Sequence, residues 1–475
     1  MAAICVLDVW IHRAITCRYV SAEPYPGHPA SVPPVQGDPH RRGTGGFGRV
    51  TLALFSAGLA TFTTLYCVQA LLPSMATQFR LSPASASLAV SVATGALALG
   101  VIPLTALSEA VGRTPVMTVS LFASAVLGIL EAFSPAFPVL LGLRALQGLA
   151  LAGLQATAMS YLTEEVHRRS LGVAMGLFIA GNGIGGMAGR LLAGLIDDLA
   201  GWRWALGAIG VIALGCAILF RLSILPSARF RARPLRLREL TASVARALAD
   251  GGLIRLYAAG FLLMGCFVTV YNYLGFRLLG PGFHLSRAMV GLIFVVYLAG
   301  SAASVAAGRL VDRFGRPRVM WIMAVITLSG LALMLPADLA VVIAGLVVTT
   351  AGFFAAHSVA SGWVGARSAA LGVQGAAVYL FFYYLGSSIG GSLGGLAFGS
   401  AGWPGVTVFT GAFVIAVVII ALTLRRLVPA RAVPQGAERA TERDATEPRA
   451  TEPQAGELQA GEPRPRRPAS RRSAA

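Results

Sequence analysis

Four ionisable side chains of this 475-residue chain, Glu131, Arg144, Arg190 and His357, lie inside long apolar stretches. Such groups are costly in hydrocarbon and persist where they bind, pair or relay protons. Arg144 offers a fixed positive charge and five donors, enough to fork an anionic solute; its ordinary alternative is to snorkel to the headgroups. Arg190 sits in a glycine-rich stretch with Glu131, Asp197 and Asp198 as available partners, so a structural network competes with solute contact. His357 suits a proton carrier, because imidazole titrates near neutrality, or else it is a hydrogen-bonded core residue. No carboxylate stands in the middle of an apolar stretch. A cavity with two arginines and no central acid favours an anionic or polar neutral solute over a cation.

These residues need elements to hold them. The chain is 56% hydrophobic and 12% charged with a mean hydropathy of +0.72, which excludes a soluble globule with a polar surface. Apolar runs recur at 51–72, 85–107, 116–133, 138–163, 170–199, 202–225, 253–279, 288–311, 317–335, 339–363, 372–400 and 402–424, each long enough to cross a bilayer. The expected fold is an all-α polytopic membrane protein of twelve transmembrane helices in two pseudo-symmetric six-helix bundles. Residues 51–225 and 253–424 form the bundles, joined by a basic linker at 226–252. Residues 425–475, rich in Glu and Pro, have no apolar face to bury and are expected to be disordered. Residues 1–50 read as a disordered tail or an over-extended gene start, since no basic region precedes their short apolar patch as a signal peptide requires.

Net charge is +18 and every basic residue is arginine. The arginines sit at helix ends and in connections, not on one face, which speaks against nucleic-acid binding. With the N-terminus inside, sixteen arginines flank the inner connections and four the outer ones, so both termini are expected in the cytoplasm. Cys5, Cys17, Cys67, Cys216 and Cys266 have neither metal nor disulfide spacing; no metal and no cofactor are expected. The absence of a GxxxxGK[ST] loop, HExxH or GxSxG argues against ATP-driven transport and against an enzyme.

The halves repeat one another. Gly181, Gly185, Gly186, Gly189 and Gly194 match Gly386, Gly390, Gly391, Gly394 and Gly399, about 205 residues apart. An interior glycine costs about 1 kcal/mol against alanine unless it lets helices approach closely. Two connections repeat as well. GRLVDRFGRP carries Gly308, Asp312, Arg313, Gly315 and Arg316, and TALSEAVGRT carries Glu109, Gly112 and Arg113. An acid three residues before a Gly-Arg pair can clamp neighbouring helix ends in one conformational state.

With these motifs the chain resembles the major facilitator superfamily of transporters over roughly residues 50–425. GRLVDRFGRP is similar to the family signature between the eighth and ninth helices, and RALQG from Arg144 to its fourth-helix motif. The fifth-helix glycines resemble the motif associated with antiporters, with Asn182 where proline is usual. YCVQALLP, GGMAGRLLAG, YNYLGF, FFAAHSVASGW and YLFFYYLGSS resemble a narrower branch, the YnfM-like inner-membrane transporters assigned mostly to efflux. The resemblance implies alternating access around a midplane site lined by Tyr66, Gln69, Arg144, Gln147, Arg190, Tyr271, Asn272, His357, Tyr379 and Tyr383. The implied activity is proton-linked export of a small organic solute by a monomer in the bilayer. Uptake of an anionic metabolite and a non-transporting membrane sensor are the competing readings.

Overall fold

Long runs of Ala, Leu, Val and Gly give helices almost throughout the computed structural model, which describes residues 40–230, 232, 237–371 and 374–425. The spans are Gly45–Phe79, Pro83–Val111, Arg113–Glu131, Phe137–Glu165, Arg168–Ala200, Trp202–Ser223, Gly251–Leu279, Arg287–Phe314, Arg316–Leu333 and Leu339–Leu371. A continuous helix Gly375–Leu424 supplies the eleventh and twelfth, divided by non-helical backbone at Ala401 and Gly402, where φ of Gly402 is +60°. Twelve spans result among the described residues, as expected. The tails before residue 40 and after 425 lie outside the described residues, as do Arg231, Arg233 and Arg236.

Several boundaries differ from the sequence reading. The first helix begins at Gly45, where the Thr44 hydroxyl accepts from the Phe47 amide, and residues 40–42 ahead of it are tied down. The His40 amide donates to the Glu165 carbonyl (3.0 Å) and the Arg42 amide to the Ser170 hydroxyl (3.0 Å). The linker holds an amphipathic helix, Leu237–Ala249. Asp250 caps the seventh span by accepting from the amides of Gly252 and Leu253.

The helices fold back and forth between two faces, which we call the linker face, bearing helix Leu237–Ala249, and the far face. Within each half the duplicated glycines set the packing. Side-chain carbons at Gly181, Gly185 and Gly189 would strike the backbone of Phe55, Leu59 and Thr63 on the first span. Gly386 and Gly390 stand in the same relation to the backbone of Phe261 and Gly265 on the seventh, while a side-chain carbon at Gly394 would strike the Thr269 side chain. The register is repeated in a hydrogen bond: Thr63 donates to the Gly185 carbonyl (3.0 Å) and Thr269 to the Gly390 carbonyl (2.8 Å). The fifth matched pair diverges, since Gly194 abuts Gly291 of the other half while Gly399 meets nothing.

Candidate substrate and proton pathway

The first span breaks at Cys67, between helices Gly45–Tyr66 and Val68–Phe79, and the break positions the charged core. Arg144, fully buried on the fourth span, points its guanidinium there. It donates to the carbonyls of Thr64 (3.1 Å), Leu65 (2.7 Å) and, on the second span, Ala89 (2.9 Å), and to the Gln147 side chain. Gln147 in turn donates to the Ser124 carbonyl (3.0 Å) of the third span. Glu131 lies 3.7 Å from the guanidinium and is 1% exposed. The guanidinium's donors are thus met within the protein, because the broken helix leaves carbonyls that need donors.

Arg190 is equally committed, though not to the partners expected for it. Glu131 pairs with Arg144, and Asp197 accepts from Ser74 and faces Arg287 at 3.6 Å. Arg190 donates instead to Gln69 (2.7 Å) and the Gly186 carbonyl (2.5 Å). Its guanidinium lies over the rings of Tyr66 (4.7 Å), Tyr297 (4.8 Å) and Phe294 (5.2 Å). Buried cation–π contacts are worth up to about 2 kcal/mol, so a helix of one half is fastened into aromatics of the other. Gln69 extends the link by donating to Asn272 of the seventh span (2.7 Å).

The C-terminal half presents rings. Tyr271 bonds Thr350 (2.7 Å), and Phe267 stacks on Phe353 at 3.9 Å. The Phe353 ring lies parallel to His357 at 5.9 Å, and Tyr383 sits 4.6 Å from the imidazole. His357 Nδ1 and the Tyr379 hydroxyl are 2.9 Å apart, joining the tenth and eleventh spans. The Tyr66 and Tyr297 hydroxyls, Ser91, Ser387 and the Asn272 amide nitrogen are buried in this region without hydrogen bonds, an unusual concentration of idle polar groups.

The halves touch chiefly toward the far face. Gly194 packs on Gly291, Gly395 on Ala84 and Gly275 near Pro73. Ser87 of the second span donates to the Gly391 carbonyl of the eleventh, which also accepts from Tyr273 of its own half. Among the described residues no hydrogen bond or ion pair joins the fourth span to the tenth. At the linker face Gln374 donates to Glu109 across the halves (3.3 Å).

The two clamp motifs behave oppositely. Arg113 is buried and binds Glu164 (2.9 Å) and Ser108 (2.6 Å), with Glu109 at 4.0 Å, and it holds the second, third and fourth spans together. Asp312, in the better-matched copy, is exposed and pairs with no described residue, and Arg313 rests on the Phe314 ring. Gly112 and Gly315 hold φ of +117° and +79°, a region that favours glycine. Gly308 and Arg316 are exposed. An unforeseen ion pair, Arg367 with Asp250 (2.5 and 2.8 Å), ties the tenth span to the start of the seventh. The guanidinium holds the Asp250 carboxyl below the usual carboxylate range.

Comparison with known proteins bears on what this architecture is. The model of the Major Facilitator Superfamily matches residues 54–280 and 274–471. The chain is 46% identical over 381 residues to the inner membrane transport protein YnfM of Escherichia coli, covering 80% of this chain and 90% of that protein. It is 44% identical over 366 residues to the uncharacterized MFS-type transporter YybF of Bacillus subtilis, covering 77% and 91%. Among solved structures, a bacterial homolog of the lysosomal transporter Spinster, inward-facing and occupied, superposes with a TM-score of 0.66 at 17% identity over 82% of this chain and 98% of that one. A D-xylose-proton symporter does so with a TM-score of 0.62 at 17% identity over 81% and 98%. The twelve spans, the duplicated glycine register and these likenesses together establish that the chain is a multi-pass membrane transporter belonging to the major facilitator superfamily.

Proposed function

We propose that the protein is a proton-linked exporter of a small, uncharged, ring-bearing organic solute, working as a single chain with the linker face and both termini in the cytoplasm. The observation that carries this reading is the commitment of both membrane arginines to internal partners. That leaves rings, tyrosine hydroxyls and half-buried His357 as the groups available between the halves. Flat rings favour stacking with a planar solute, and a histidine sharing a hydrogen bond with Tyr379 adds a titratable group. Contacts gathered at the far face favour a cytoplasm-facing state, the state in which an exporter loads. The arginine imbalance supports the orientation. Uptake of an anion would require Arg144 or Arg190 to abandon buried carbonyl or aromatic partners.

The test uses inverted membrane vesicles from cells making the protein, with radiolabelled uncharged aromatic metabolites, anionic metabolites and a cationic dye. Accumulation of the uncharged aromatic class under an acid-inside gradient, abolished by a protonophore, is expected. Accumulation of anions alone, or indifference to the gradient, overturns the proposal.

A further inference from the structure

Glu131 closes the third span beside the break in the first, and its surroundings are unusual for a buried carboxylate. One oxygen, Oε1, has no hydrogen bond, and Oε2 lies 3.7 Å from Arg144 Nη1. That nitrogen already donates to the Thr64 carbonyl and to Gln147. The attraction between the two side chains is thus one of charge, without a short hydrogen bond to lock them. Arg144 is bound more firmly to the first span than to Glu131, since two of its bonds go to Thr64 and Leu65.

The first span also carries Gln69, which bridges Arg190 and Asn272 across the halves. Opening the far face must break or stretch that bridge and pull on the first span across the break at Cys67, where Thr64 and Leu65 present the carbonyls that hold Arg144. The guanidinium follows the carbonyls it holds. Glu131, on a different helix, is then left as a buried carboxylate with no partner, and burial of a lone charge costs enough that the group takes a proton instead.

We propose that Glu131 is a proton-binding site, filled when the far face opens and emptied when Arg144 returns as that face closes. The proton comes from water on the far side and, with that face shut, departs toward the linker face. The other groups around the carboxylate are few. The fourth span contributes Arg144, and the first contributes the Cys67 thiol, with Tyr66 turned to Arg190. From the sixth span, Arg203 binds the Ala132 and Ser134 carbonyls just beyond the helix end. The second span offers no titratable residue until Glu109 at its other end. This inference rests on the proton-linked reading but does not need a known solute.

The test is infrared difference spectroscopy of the full-length protein in nanodiscs, taken across pH without solute, in wild type, Glu131→Gln and Glu131→Asp. Spin labels at Gln78→Cys and Ala337→Cys, exposed at the far face on opposite halves, report opening. Wild type should gain a protonated-carboxyl band on acidification together with a longer label distance. Glu131→Gln should lack that band and show the longer distance at every pH. Glu131→Asp should keep both responses with a midpoint moved by about half a unit, which also guards against a misfolded glutamine variant. A band that survives in Glu131→Gln, or label distances that respond to pH as in wild type, overturns the proposal. Failure of solute transport in vesicles would sink the exporter reading while leaving these spectra to stand or fall alone.

Discussion

The two halves share a packing scheme but not a chemistry. Thr63 on Gly185 and Thr269 on Gly390 repeat the same helix contact, yet Glu131, Arg144 and Arg190 are buried in the first half only. Around the tenth span the second half has Thr350 bonded to Tyr271 and a ladder of rings ending in His357. Close approach of helices depends on backbone shape, which duplication copies intact. Charge is tolerated in hydrocarbon only where each donor and acceptor is met, so it is free to diverge once one half supplies the rigid core and the other the adaptable wall.

The largest expected effect is at Arg144. Arg144→Gln and Arg144→Lys should each lower stability by about 3–5 kcal/mol, read by thermal unfolding in nanodiscs, because neither side chain can serve three carbonyls and Gln147 together. A lysine variant as stable as wild type would reduce the residue to its charge and weaken the contrast between halves.

Next come the glycines. Gly185→Leu and Gly390→Leu should each cost more than about 3 kcal/mol or abolish folding, since overpacking already costs 1–3 where neighbours can move and here the neighbours are backbone. Gly186→Leu should be milder, because a side chain there first meets a side-chain nitrogen, Arg190 Nη1 at 3.2 Å, and no backbone. Gly128→Leu, at a glycine of the third span with no counterpart among the matched pairs, should also be milder, since it first meets the Gln147 side-chain amide at 3.0 Å. Equal losses at Gly185 and Gly186, measured by yield of monodisperse protein, would refute the backbone-contact ranking.

In the ring-lined half, His357→Gln should cost about 1 kcal/mol while flattening the pH profile of vesicle transport, and Tyr379→Phe should shift that profile without flattening it. If both profiles match wild type, the histidine is a packing residue.

A smaller effect belongs to Asp250. Its depressed carboxyl means that pairing with Arg367 stabilises the fold above the unfolded carboxylate range, near 3.9. The contribution vanishes as pH falls through the lower folded value. Asp250→Asn should therefore unfold more readily at neutral pH and lose that difference on strong acidification. Least of all, Asp312→Asn should change stability by under about 0.5 kcal/mol, yet reduce transport if the motif clamps the state in which the linker face is shut. Full transport at equal expression would leave that loop as a simple helix connection.

Much of the scaffold was legible in sequence because hydropathy and glycine spacing are local signals. The twelve apolar runs, the linker and the duplicated register follow from what each segment tolerates in lipid. The charged core was legible only as a set of names. Arg144, Gln147, Arg190, Gln69 and Asn272 could be singled out as polar residues in apolar helices, but their partners belong to other spans. Glu131, one of three possible partners of Arg190 in the sequence, lies instead beside Arg144, and the better-matched clamp motif proved to be the one whose acid pairs with no described residue. Thr63 and Thr269 escaped notice, though their spacing nearly matches that of the glycines they bond. Sequence by itself determined that this chain spans a membrane in two related halves, since burial of apolar surface and backbone satisfaction act within each helix. Tertiary structure alone decided that Arg144 braces a broken helix and Arg190 enters the other half's rings, because a long-range partner is chosen by geometry between helices that no local pattern encodes.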